Sequence, residues 1–438
     1  MSNTVMIISL VIGLVLTLWL STKFKINAGI LALVVAWIVG CGMGGLSTAT
    51  LIGYWPSSVM FIAITTALFF GVARENGTLQ LFASKIMYAC RKTAWFVPIA
   101  LYITTWVIGA SGAGGMGSEI PMSAIGFAIA GQTGMHPLLV ILAVFLGGMG
   151  GGGMFWSAEG ANRIAYYTGI VSDEAVAYST MAHSVYTVII YTIIFFIGYF
   201  IFKGWKIDTS KLSMEKPAAY NSEQKKTLAL TVICLVIVIA SSILKCFAPN
   251  DTTKFLANMF SIQMVCLAGF VIAWAMKIVE PKNVMKRIPW EMILNIGGMS
   301  MMIKVLINCG ITEAISNLFA TANIPNVLIP AIFFLTAGVI TLFSNFTVIY
   351  PLLMPLVPVV AAATGCNSVT LFAAMAMGSG LPAVSPFSTG GVCCLSGCPD
   401  EETREKLIPK QFIMAWIIMA VSAVLVCTPL LKIFPDCL

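Results

Sequence analysis

Two apolar runs near the carboxyl end are broken where a bilayer would require them to be continuous. The first break is Ser344-Asn345-Phe346-Thr347; the second runs from Gly378-Ser379-Gly380-Leu381-Pro382 to Ser385-Pro386-Phe387-Ser388-Thr389. Backbone released from a helix at membrane depth leaves N–H and C=O groups that hydrocarbon cannot satisfy, so it persists only against protein or a watery cavity. Half-helix ends facing such a cavity can hold an anion and a coupling ion near the bilayer midplane. The feature occurs twice. Shifted by 231 to 233 residues, the chain matches its own punctuation: Pro56 falls on Pro289, Gly77 on Gly310, Ser111 on Ser344, Gly147 on Gly378, Ser157 on Ser388 and Gly160 on Gly391.

Composition excludes a soluble domain. Of 438 residues 59% are hydrophobic and only 9% charged, with mean hydropathy +0.96, whereas a soluble domain carries about a quarter charged residues. A net charge of +7 does not indicate nucleic acid, because the basic residues are scattered over short loops between apolar segments, as positive-inside bias demands. Twelve cysteines imply no disulfide framework. Cys41, Cys234, Cys266, Cys309 and Cys427 sit inside apolar runs as small buried hydrophobes. Cys393, Cys394 and Cys398 have no nearby histidine and do not fit a zinc pattern.

Spans of roughly 17 to 25 apolar residues are expected at Val5–Leu20, Asn27–Gly44, Ser57–Ala73, Leu138–Phe155, Tyr178–Phe202, Leu228–Leu244, Met259–Met276, Trp290–Ile307, Thr370–Ala383 and Phe412–Leu431. Val5–Leu20 follows no basic residue and no cleavage site, so it is expected to be a retained span. Residues 93–134 hold two half-length apolar pieces joined at Gly109-Ala110-Ser111-Gly112-Ala113-Gly114-Gly115, a re-entrant hairpin; residues 323–365 repeat it. The expected fold is therefore an all-α polytopic membrane protein, about ten transmembrane helices plus two re-entrant hairpins. It divides into a first repeat, 1–203, a linker, 204–226, and a second repeat, 227–438. Five spans per half make the second repeat inverted. With both termini external, nineteen Lys and Arg residues fall on the inner side and four on the outer, which sets the orientation in an inner (plasma) membrane. Hairpin 93–134 then enters from the cytoplasm and hairpin 323–365 from outside. Leu79, Phe82, Ala83, Ile86, Met87 and Cys90 recur at helical spacing, as in an amphipathic interfacial helix.

Hydroxyls and one amide crowd the breaks. Ser344, Asn345 and Thr347 lie at the second hairpin tip, and Ser379, Ser385, Ser388 and Thr389 on the second broken helix, with Gly380 between them. A carboxylate needs several N–H and O–H donors, and sodium needs hydroxyl and carbonyl oxygens freed by unwinding. Ser and Thr also bond to their own helix and let it bend. In the first half Ser111 lies in the glycine-rich tip, and Ser157 follows Gly150 to Gly153; such glycines bring backbone near a ligand or permit tight helix packing. Intramembrane ionisable residues are functional suspects: Glu119, Glu159 and Lys304. Glu119 and Glu159 suit a coupling ion, and Lys304 an internal counter-ion or a snorkelling lysine. Glu159 also lies four residues before Arg163, the spacing at which the two would pair along one helix face.

The stretch Ser385-Pro386-Phe387-Ser388-Thr389-Gly390-Gly391, followed by Cys398-Pro399-Asp400, resembles the malonate (dicarboxylate) carriers of the MatC type. Asn76-Gly77-Thr78 and Asn27-Ala28-Gly29 are similar to that branch too, which lies within the divalent anion/sodium symporter group of the ion transporter superfamily. The resemblance implies two inverted repeats, each with a scaffold part and a transport part of hairpin plus broken helix, in a homodimer that moves its cargo by an elevator motion. In that group a Ser-Asn-Thr triplet at each hairpin tip contacts substrate carboxylates and helps to form a sodium site. Thr347 matches that triplet, Asn345 is displaced by one position, Phe346 replaces the amide, and the first tip has no Asn.

These readings converge on a secondary active transporter of a small organic anion, a di- or monocarboxylate, with Na+ or H+ as the coupling ion, the bilayer as its medium and no organic cofactor. The substrate-binding residues are Asn345, Thr347, Ser388, Thr389, Ser111 and Ser157; the ion-coupling residues are Ser344, Asn345, Ser385, Gly380, Glu119 and Glu159. A proton-coupled antiporter or exporter on the same fold is the alternative. With only His136 and His183, no paired acidic motif and no nucleotide loop, an enzyme is disfavoured, and a passive channel does not explain the paired breaks.

Overall fold

The computed structural model describes residues 3–437 apart from 25, 169, 211, 249, 287, 289, 312–313, 315–316, 318–320, 322–323 and 343–348. The described chain is helical, and its one β-feature is an isolated bridge between Thr168 and Val171. In the first half run α1 (Asn3–Phe24), α2 (Ala28–Trp37, continued as a wider π-helical turn through Met43), α3 (Ser57–Glu75), α4 (Thr78–Cys90), α5 (Val97–Ile108), α6 (Gly114–Thr133), α7 (Pro137–Gly152), α8 (Ala158–Tyr167) and α9 (Asp173–Ile201). The second half holds α10 (Ser222–Phe247), α11 (Asp251–Met259), α12 (Ile262–Ala275), α13 (Trp290–Asn308), α14 (Ile329–Thr341), α15 (Ile349–Leu353), α16 (Leu356–Thr364), α17 (Ser368–Gly380), α18 (Thr389–Leu395) and α19 (Glu401–Val426).

Local signals account for many boundaries. Asn27 opens α2 by accepting from the Gly29 amide at 2.9 Å, and Asn367 opens α17 by accepting from the Thr370 amide at 2.9 Å; both use the side-chain oxygen to satisfy a donor the helix cannot. Pro137 begins α7, where its missing N–H costs nothing, and His136 Nδ1 accepts from Leu138 at 3.2 Å. The amphipathic reading holds for α4, which buries Leu79, Ala83 and Met87 and leaves Gln80 exposed and Lys85 only partly buried. Most of the corresponding residues after Ile311 lie outside those described.

Seven described helices are long and apolar enough to cross a membrane, or eight if α11 and α12, bent by 45° at their junction, form one span. Of the ten expected spans, Asn27–Gly44, Leu138–Phe155 and Trp290–Ile307 fall on helices whose described apolar stretch is shorter than this. The stretches 28–43, 137–152 and 329–341 form shorter apolar helices, and 293–308 is the apolar part of α13; the first two end where glycines at 44–45 and 150–153 interrupt them. Residues 94–112, expected as half a hairpin, form a helix of 19 residues by the same measure. It turns back at Gly112 and Gly114, whose φ of 98° and 69° fall in the region open chiefly to glycine. The chain is an integral membrane protein: the flanks of α1 and α2 leave Ile8, Val15 and Trp37 more than half exposed, an arrangement that only lipid or another apolar surface favours.

Helix boundaries recur along the chain. Ser57 and Trp290 open α3 and α13, and Glu75 and Asn308 close them, 233 residues apart at both ends. The starts of α5 and α14 differ by 232, and those of α7 and α17, and of α8 and α18, by 231. Packing follows the same exchange: α2 lies along α13 while α12 lies along α3, and α5 lies along α7 while α14 lies along α17. Residues 368–386 are all buried inside the molecule, whereas Phe387 and Val392 are exposed.

Candidate functional site

Both broken helices are present. The first parts at Gly153–Ser157 between α7 and α8, the second at Leu381–Ser388 between α17 and α18. Each carries its far half to the other half of the chain. Thus α18 packs on α6 and α7, with Ser123 Oγ donating to the Cys394 carbonyl. In the other direction α8 reaches α15, where Arg163 Nη1 donates to the Tyr350 hydroxyl at 3.2 Å.

The most polar point of this core lies beside the first hairpin tip. The Gly115 amide donates to Glu159 Oε1 at 2.8 Å. A Cβ at Gly115 would come within 3.1 Å of that oxygen and 3.2 Å of Glu119 Oε1, so the missing side chain makes room for two carboxylates. Glu119 is fully buried, and among the described residues no group donates to either of its oxygens. The glycine run of α7 serves both purposes its composition allowed. Gly147 lies against the Tyr102 carbonyl of α5, while Gly148 faces Glu119 and Gly152 faces Glu159.

The hydroxyl candidates divide. Ser111 Oγ donates to the Ile108 carbonyl at 2.8 Å in its own helix. Ser157, fully buried, donates to the Met154 carbonyl at 2.7 Å and to the Gly152 carbonyl, bracing its own break. Ser385 reaches further: its hydroxyl donates to the Leu342 carbonyl at 2.6 Å, tying the second break to the end of α14. Ser388 is buried at the start of α18, and Thr389 is half-buried beside it. Gly380 ends α17 against the Tyr191 hydroxyl, 2.5 Å from where a Cβ would stand. Ser344, Asn345 and Thr347, the hairpin-tip candidates, lie outside the described residues.

Arg163 departs from expectation. Among the described ion pairs none joins it to Glu159; the buried guanidinium donates instead to the Gly153 carbonyl at the break and to Tyr350, 187 residues away. It offers a cation where the two halves meet. The signal in the sequence was an arginine one turn past an intramembrane break, which i,i+4 spacing alone misread. Lys304 lies one turn from the end of α13 with its side chain exposed. The described residues contain no group of three or more metal-ligating side chains.

The chain's fold is similar to that of the YdaH transporter of Alcanivorax borkumensis, whose crystal structure is described as revealing an unusual topology, with a TM-score of 0.60, 12% identity and coverage of 87% of this chain and 86% of that one. No curated protein matches the sequence significantly. Residues 1–152 match the family model described as the dicarboxylate carrier protein MatC N-terminus, which bears out over that part the MatC-type resemblance carried by the sequence motifs.

Proposed function

We propose that the chain is a secondary active carrier of a small carboxylate, malonate-like in size and charge. The observation that carries this reading is that the far half of each interrupted helix packs on the other half of the chain, α18 on α6 and α7 and α8 on α15. Freed backbone at such breaks survives in a membrane only against protein or water, and a pair of breaks in corresponding positions is the sequence pointer to a transporter's binding site. The dicarboxylate-carrier match over residues 1–152 and the transporter neighbour support carriage of a carboxylate. The recurring helix boundaries and exchanged packings support two inverted repeats, and the bias of Lys and Arg between loops supports external termini.

In this reading Ser388, Thr389 and the hairpin-tip residues Asn345 and Thr347 bind substrate, with Ser111 and Ser157 opposite. Ser344, Asn345, Ser385 and Gly380 contribute to an ion site. Glu119 and Glu159 supply the coupling charge: a buried carboxylate without donors calls for a cation, H+ or Na+. The same pair would serve a proton-coupled exporter, which would ignore sodium. As in related elevator carriers, the working unit would be a homodimer.

Uptake of labelled malonate, succinate and acetate into proteoliposomes, driven separately by a sodium gradient and by a pH gradient, tests the reading. Concentrative uptake of a carboxylate under one gradient is the expected result. Equal, gradient-independent flux would mean a channel, and no flux with any carboxylate would overturn the proposal.

A further inference from the structure

We propose that the cavity between α13 and the start of α3 is the entrance site for the anion, and that Lys304 gives it its preference for negative charge; this deepens the carrier reading above and uses its orientation, with this end outside. The cavity measures about 370 Å³, within the range of small-molecule sites. One wall is Ser57, Ser58, Ser300 and Lys304; the other is Tyr166, at the end of α8, and Tyr350, in α15. Its walls therefore come from the two helices expected to form the scaffold and from the interrupted helix and hairpin expected to move.

Lys304 is the only charged side chain among the described lining residues, and no described carboxylate pairs with it. A lysine within a spanning helix is unfavourable unless it meets water, a partner or the interface. Here it meets a recess rich in hydroxyls, which can donate to a carboxylate while giving a cation no opposing charge. Tyr350 divides this recess from the interior: it lines the cavity and its hydroxyl accepts from Arg163 at 3.2 Å. A second cation thus stands one side chain behind the wall, and an anion leaving Lys304 finds its next positive charge deeper in the protein. A mono- or dicarboxylate fits this arrangement; a neutral or cationic solute gains nothing from it.

Cysteine labelling tests the site without relying on transport. Ser57→Cys would be reacted with membrane-impermeant anionic and cationic methanethiosulfonates, and the labelling of the parent protein subtracted. Relative to their rates with a small free thiol, the anionic reagent should react about fivefold faster and the cationic one about fivefold slower, the effect of one nearby unit charge in a watery recess. Lys304→Gln should erase that bias and Lys304→Arg keep it. In proteoliposomes Lys304→Gln should raise the KM for malonate by a similar factor and leave the maximal rate unchanged. If Lys304→Gln does not fold, added salt should collapse the bias of the Lys304 protein through screening. A bias unchanged by Lys304→Gln or by salt overturns the entrance site. A Lys304-dependent bias in a protein that carries no carboxylate upholds the anion site and sinks the carrier reading instead.

Discussion

Gly115 donates its amide hydrogen to Glu159 at 2.8 Å, joining the tip of the first hairpin to the helix that follows the first break. A hydrogen bond to a charged acceptor contributes about 1.5–3 kcal/mol, and losing it here leaves a buried amide unpaired. Glu159→Ala should therefore lower the thermal midpoint of the purified protein, whereas Glu159→Gln, which keeps a carbonyl acceptor, should lower it less. Both should lose gradient-driven uptake. Equal midpoints for the two variants would remove the hairpin tie from this account.

Close helix packing gives a second test. Gly378 in α17 lies against the Phe334 backbone of α14, too near for a Cβ, as Gly147 lies against the Tyr102 carbonyl. Overpacking of this kind costs about 1–3 kcal/mol where backbone cannot retreat. Gly378→Ala should reduce folded yield and thermal midpoint in detergent. Gly131 in α6, with open space where a Cβ would stand, is the matched control: Gly131→Ala should be neutral or stabilising by about 0.5–1 kcal/mol.

How much of this was legible in the sequence depends on distance along the chain. The breaks at 153–157 and 381–388 were visible because glycine, proline and serine interrupt apolar runs, and a break is a local event. The 231-residue interval was visible because it preserves those residues at both copies. Span lengths were not, since hydropathy does not register where a helix widens at 38–43 or turns back at Gly112. Arg163 was misread for a related reason. Its spacing from Glu159 predicted a pair along one face, but the break turns the start of α8 so that the guanidinium meets the Gly153 carbonyl and Tyr350. Nor does any period mark Glu119 as facing Gly148 across two helices. Hydroxyl clustering does not reveal that Ser111 and Ser157 donate to carbonyls of their own segments.

Acid should loosen the helix that carries the last long span. Asp400 caps α19, accepting from the Thr403 amide at 2.7 Å and from its hydroxyl at 2.9 Å. The amide bond first, and then the hydroxyl, hold the Asp400 carboxyl below its usual value of 3.8. A group with a lowered folded-state value contributes stability above its unfolded value and loses it as pH falls through the folded one. Midpoints measured at successively lower pH should therefore carry an Asp400 contribution that fades below about pH 3.8. Asn caps as well as Asp, so Asp400→Asn should retain the neutral-pH midpoint and flatten that part of the profile. An identical profile in both proteins would dismiss the cap as its source.

Four serines at or beside the breaks make unequal bonds, and uptake should rank them accordingly. Ser385 spans 43 residues to the Leu342 carbonyl, at the edge of the second hairpin tip, and also accepts from the Phe387 amide at 3.2 Å. Ser385→Ala removes about 0.5–1.5 kcal/mol of net bonding and frees the tip from the break, so transport should fall at least tenfold for a modest loss of stability. Ser388→Ala should abolish uptake in a folded protein, as should Thr347→Ala at the hairpin tip. Ser111→Ala and Ser379→Ala delete only bonds to the Ile108 and Ala376 carbonyls of their own helices. If these hydroxyls serve mainly to let a helix bend, both variants should keep most of the uptake. Parallel initial-rate assays in proteoliposomes, normalised to protein eluting as a single species, decide the order. A Ser111→Ala variant as damaging as Ser388→Ala would uphold the substrate role proposed for the first hairpin's hydroxyl, whose bond to Ile108 must then break when cargo binds.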